Sequence, residues 1–99
     1  MPTDERLIAT PQRTVTAICA LLEYGLARNH EEARTVHAQL EHLRKDFPHS
    51  PALPLSLALL GQLRQVLLVL CILAGEEDGP GERVTRFSRM ADTVRELAI

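Results

Sequence analysis

Aromatic residues are nearly missing from this chain: no tryptophan, one tyrosine and two phenylalanines among 99 residues. That scarcity speaks against carbohydrate and single-stranded nucleic-acid sites, which favour aromatic stacking platforms. Excess charge is missing too, since eleven basic and thirteen acidic residues leave a formal net of −2. Such a chain has no general attraction for phosphate or anionic lipid. It has no glycine-rich phosphate loop, and Glu76-Glu77-Asp78 lacks the ligand spacing of a calcium-binding hand. No segment shows the period-2 alternation of a strand, and no internal repeat is present.

Lysine occurs once, at Lys45, against ten arginines, a usage that together with the many alanines points to a high-GC bacterial genome. Cysteine is confined to Cys19 and Cys71, both inside apolar helical stretches. That placement predicts reduced, buried thiols and a cytoplasmic protein. The first ten residues carry Asp4, Glu5 and Arg6 ahead of only two strongly apolar residues, unlike a secretory signal. They are expected to form a flexible arm on a single helical domain covering 1–99.

What the chain does have is leucine, seventeen of them, arranged at helical spacing. The expected fold is all-α: a compact bundle of four helices over about 11–28, 30–47, 51–74 and 81–98, with short connections and antiparallel neighbours. Thr10 and Pro11 suit a helix start, and Val15, Ile18, Leu22 and Gly25 form its seam, widened by Cys19, Leu21 and Leu26. Its opposite side, with Ala17, Ala20, Tyr24 and Ala27, is small enough for another helix to approach. Asn29 with Glu32 resembles a capping box for the second helix. Ala33, Val36, Leu40, Leu43 and Phe47 then follow a clear amphipathic pattern, which Pro48 ends. The third helix starts at Ser50 with Pro51, or at Pro54, and Gly75 is its expected C-cap. The fourth carries its seam on Val84, Phe87, Ala91, Val94 and Ala98.

The third helix is the unusual one. From 53 to 74 only Ser56, Gly61, Gln62, Arg64 and Gln65 interrupt it, and Val66 to Ala74 is apolar throughout. A helix apolar all round must be hidden on every side. Its polar stripe through Gly61 and Gln65 continues, one and two turns on, into Leu68, Val69 and Ile72. These five residues are the expected interface of a two-fold homodimer or of a partner protein. Gly61 would allow close helix crossing, and Gln65 could hydrogen-bond across the axis. A membrane is the competing environment, opposed by Arg64, Gln62 and Gln65 near the middle of the segment.

Catalytic equipment is not evident. His37 with Glu41 and His42 with Asp46 stand four residues apart on the second helix, but no other Cys or His stands at a metal-binding spacing. No metal, cofactor or catalytic residue is therefore assigned. Arg83, Arg86 and Arg89 make the last helix the densest in positive charge, diluted by Glu82, Asp92 and Glu96. They are candidates for contact with an acidic partner or, as the alternative function, with nucleic acid. The expected function is a non-enzymatic protein–protein interaction module, a small regulator, adaptor or chaperone that homodimerises and binds another protein.

Overall fold

The structure, a computed structural model, describes residues 6–99. It is mostly helical and has four helices, with a small two-stranded sheet added. In chain order the elements are β1 (Leu7–Pro11), α1 (Gln12–Leu26), α2 (Glu31–Asp46), β2 (Ala52–Ser56), α3 (Leu57–Asp78) and α4 (Glu82–Leu97). The chain is thus two strand–helix–helix units joined at their strands. The most extensive helix contacts are α3 with α4 and α1 with α2, and α3 also touches α1 and α2. The molecule measures 43 × 28 × 22 Å.

The ribbon corrects the all-α expectation. β1 and β2 pair antiparallel, with Ile8 opposite Leu55 and Thr10 opposite Leu53. Those four residues face inward: Leu53, Leu55 and Thr10 are fully buried and Ile8 half-buried. The Thr10 hydroxyl donates to the Ile8 carbonyl at 3.2 Å, which satisfies a buried polar group. A two-stranded ribbon is marginal by itself. Its apolar face anchors it to the helical core. The flexible arm expected over 1–10 is therefore a paired strand from Leu7 onward, while positions 1–5 of that arm lie outside the described residues.

Prolines explain why 51–56 is not helix. Pro51 and Pro54 bias the residues before them, Ser50 and Leu53, toward extended backbone. Leu53 and Leu55 then alternate inward with Ala52, Pro54 and Ser56 between them. α3 consequently starts at Leu57, capped by Ser56, whose hydroxyl accepts from the Leu59 N–H at 3.0 Å. Its other end is also later than expected. Gly75 stays helical beneath Val84, and the helix runs on to Asp78, where Gly79 takes a positive φ (73°, with ψ −177°) that favours glycine. Arg28 and Arg83 hold that extra turn through Glu77 and Asp78.

The other two starts shift by one residue. Thr10 belongs to β1, and α1 begins after Pro11 with the Gln12 N–H donating to the Pro51 carbonyl at 2.9 Å. Asn29 does not cap α2; it takes φ 57° in the turn, and His30 caps instead, its Nδ1 accepting from the Ala33 N–H at 3.2 Å. The α1 seam is buried as expected through Val15, Ile18, Cys19, Leu22 and Gly25, while Ala17, Ala20 and Ala27 on its opposite side stay exposed. Gly25 is needed there for close approach: a Cβ at that position would lie 2.6 Å from the Ala33 Cβ on α2.

The core is aliphatic, drawn from all six elements and centred on the inner face of α3: Leu59, Leu60, Leu63, Val66, Leu67, Leu70 and Ala74. α4 closes one side with Phe87, Ala91 and Val94. At the α1–α4 edge Tyr24 meets Phe87 edge-on, ring centroids 5.5 Å apart. The Arg28 guanidinium lies 3.4 Å from the Tyr24 ring centre while donating to both carboxylate oxygens of Glu77, at 2.6 and 2.7 Å. That bidentate pair holds the Glu77 carboxyl down at about 2, against an ordinary 4.5.

Candidate functional site

The outer face of α3 carries a row of side chains that the rest of the chain leaves uncovered, whereas the other exposed large hydrophobics, Leu7, Phe47 and Ile99, lie on separate segments. Seven positions at helical spacing define the α3 face: Ala58, Gly61, Gln62, Gln65, Leu68, Val69 and Ile72. All are exposed except Val69, which is half-buried. Ile72 retains 64% of its surface and Leu68 37%, high values for large aliphatic side chains in a small domain. Of the five residues singled out from sequence, the structure places all five on this one face. It adds Ala58 and Gln62, which continue the same stripe toward the helix start.

The two halves of the face differ in shape. Beside its first half lies a groove of about 750 Å³, floored by Ala58, Gly61, Gln62, Gln65 and Val66 and walled on α2 by Glu31, Glu32, Thr35 and Val36. Gly61 opens it: a Cβ there would meet nothing within 4 Å. Beyond Gln65 the face turns from recess to ridge, with Leu68 and Ile72 projecting. The α2 wall of the groove was not legible in the sequence, because nothing in a single helix pattern says which neighbour flanks it.

α3 is also the one helix among the described residues long and apolar enough to cross a membrane by length and composition. Its most apolar 18-residue window has a mean hydropathy of 2.1, and 39% of that window is buried by the rest of the chain. The buried positions are those of the core, packed chiefly against α4 and also against α1, α2 and β2.

Two of the four α4 arginines are engaged in ion pairs. Arg83 pairs with Asp78 at 2.8 Å and lies 4.8 Å from the Tyr24 ring centre, and Arg86 pairs with Glu82 at 2.6 Å. Arg89 is exposed, with no ion-pair partner among the described residues. The four histidines do not form one group. His42 lies 3.7 Å from Asp46 on the exposed side of α2, and His30 is spent on capping.

His37 and Glu41 are different, because the packing of α1 on α2 supplies a third donor. Cys19 Sγ, a His37 ring nitrogen and a Glu41 carboxylate oxygen all lie within 4.8 Å of one another. Cys19 is buried and the other two half-buried. Arg44 closes the group by donating to Glu41 at 3.0 Å. Burial pushes the Cys19 thiol up to about 11, helped by the Glu41 charge and opposed by Arg44. Sequence spacing alone misses this cluster, since its third member lies on another helix. Two signals were present: Cys19 belongs to the α1 seam, and His37 borders the α2 seam. Cys71 is separate and half-buried, its thiol facing the Val84 carbonyl at 3.5 Å, and both cysteines are free.

No protein-family model, curated protein or solved structure matches the chain.

Proposed function

We propose that this protein is a non-enzymatic helical interaction module, a cytoplasmic regulator or adaptor, and that the outer face of α3 docks first against a second copy of the chain. The observation that carries the reading is the pairing of recess and ridge along one helix. Ala58 lies seven residues before Gln65 and Ile72 seven after it; Gly61 and Val69 lie four before and four after. An antiparallel pair of α3 helices with Gln65 at the two-fold axis sets Ala58 opposite Ile72 and Gly61 opposite Val69. Large side chains then fill the groove beside the small ones, twice, as an isologous contact requires. The two Gln65 amides meet at the axis and can hydrogen-bond.

Burying Leu68 and Ile72 supplies the driving force, at most about 1.5–3 kcal/mol for each fully buried side chain. Their partial cover in the monomer and the cost of association reduce it. Within each copy the helices are read as a bundle with antiparallel neighbours, whose short connections favour that arrangement. An amphipathic helix of another protein would use the same groove, so partner binding and self-association compete. The paired state of Arg83 and Arg86 gives the nucleic-acid alternative less support than the α3 face has.

The test is the absolute mass of the full chain in solution, by light scattering without detergent. The expected result is twice the 11.0 kDa of one chain. Ile72→Asp, which charges the ridge, and Gly61→Leu, which fills the groove, should each give a folded monomer. A wild-type monomer, or a dimer unaffected by both substitutions, would remove the α3 face from consideration. A chain that needs detergent would move α3 into a membrane instead.

A further inference from the structure

We propose that Cys19, His37 and Glu41 form a binding site for a zinc-class divalent cation, bridging α1 and α2. The argument starts from the donors. A thiol sulfur, an imidazole nitrogen and a carboxylate oxygen are three ligand types that zinc accepts together, and three protein ligands leave a fourth position for water. His37 and Glu41 stand one helical turn apart on α2, so both project toward the same side. Cys19 completes the set from the facing helix, with all three donor atoms within 4.8 Å of one another. Bonds to a shared ion of about 2.0–2.3 Å place tetrahedral ligands about 3.3–3.8 Å apart, a contraction of up to about 1.5 Å that rotamer adjustment of two half-buried side chains can supply.

Burial favours the metal over the alternatives. Cys19 retains 3% of its surface, which shields it from large electrophiles and makes it a poor exposed nucleophile. A small cation can reach it through the half-buried His37 and Glu41. On binding, the metal–sulfur bond forms as the thiol proton leaves to solvent, while His37 binds as neutral imidazole and Glu41 as carboxylate. Arg44 is the opposing element. Its guanidinium donates to Glu41 at 3.0 Å and must swing outward when an ion binds, which its partly exposed side chain permits. Arg44 therefore sets the affinity. The bound ion would pin α1 to α2 close to where Gly25 already requires tight packing.

The experiment uses the untagged full chain, stripped by chelator and titrated anaerobically with Co²⁺ as a spectroscopic stand-in for zinc. The expected result is one ion per chain, with thiolate-to-cobalt charge-transfer absorption and the visible bands of a four-coordinate ion; zinc then displaces the cobalt. Cys19→Ser should abolish the charge-transfer band, and Cys71→Ser should leave it intact. His37→Gln and Glu41→Gln should each weaken binding by at least about tenfold, the lower range for losing even an outer-sphere partner. Arg44→Gln should keep or tighten it. Circular dichroism checks that each variant is folded, and the two half-buried α2 variants carry the test if Cys19→Ser is not. Absence of the charge-transfer band, its survival in folded Cys19→Ser, its loss in Cys71→Ser, or binding unchanged in both α2 variants would overturn the assignment.

Discussion

Helices α3 and α4 lie against each other and contribute to one core, yet their outward faces are opposites. The outer side of α4 is polar: Arg83 and Arg86 have carboxylate partners, Arg89 and Arg95 are exposed to water, Thr85 and Thr93 donate their hydroxyls back to the Gly81 and Arg89 carbonyls, and no large aliphatic side chain projects from it. The outer side of α3 offers small and amide residues over one half and bare aliphatics over the other. Water satisfies the first face. The second is satisfied only by another apolar surface. The contrast supports the proposed docking role of α3 over α4, and charge density alone, which favours α4, is a poor guide where half of those charges already have partners.

The sharpest way to break this comparison is to delete one large side chain from each region. Phe87→Ala empties the α3–α4 core and should cost about 3–5 kcal/mol in chemical denaturation. Ile72→Ala should cost the monomer no more than about 0.5 kcal/mol, while shifting the mass in solution toward a single chain. Equal losses in monomer stability would mean that Ile72 is as well covered as Phe87, and the difference between the faces would vanish.

Two glycines sharpen the contrast further. Gly25→Ala drives a Cβ to within 2.6 Å of Ala33 and should destabilise by about 1–3 kcal/mol. Gly61→Ala meets open space in a helix interior and should stabilise the monomer by about 0.5–1 kcal/mol. Opposite signs from one identical substitution would establish that Gly25 serves packing within the chain while Gly61 keeps the groove open. The same sign at both sites would sink that distinction.

The smallest expected effect concerns the last turn of α3. Glu77 has its carboxyl lowered to about 2 from 4.5, chiefly by the Arg28 hydrogen bonds. A carboxylate depressed in the fold contributes stability above its unfolded pKa and loses it as the pH falls through the folded one. The contribution is therefore complete above about pH 4.5 and disappears toward pH 2. Glu77→Gln should remove this component from the acid limb of the stability profile. An identical profile in both proteins would show that the pair is carried passively.

Much of this was legible in the sequence wherever a helix has one apolar stripe. The seams are buried over Val15–Gly25, Ala33–Leu40 and Phe87–Val94, as their spacing requires, while their ends are not: Leu43, Val84 and Ala98 are half-buried and Phe47 is exposed. Legibility failed where two patterns overlapped. Against the expectation of no alternating segment, Leu53, Leu55 and Leu57 do alternate as a strand should, but they run straight into a leucine-rich helix that masks them; the two prolines are the discriminating signal. Gly75 resembles a stop because glycine usually is one, while the ion pairs that carry the helix to Gly79 come from Arg28, in the turn after α1, and Arg83 of α4. The stripe from Gly61 to Ile72 was readable because it needs no knowledge of neighbours. The α2 wall of its groove and the Cys19–His37–Glu41 cluster arise only when helices meet, so no single-helix pattern contains them.

The ribbon between β1 and β2 has a consequence in time. The α1–α2 and α3–α4 contacts are made from contiguous chain, whereas Leu7 finds Ser56 across a separation on the order of fifty residues. Closing so long a loop costs entropy before any contact returns it, so the ribbon forms late and opens early. A chain emerging from the ribosome therefore carries Leu7–Pro11 unpaired until Ala52–Ser56 has been made. Throughout that interval its first strand is an open edge, available to whatever extended segment it meets first.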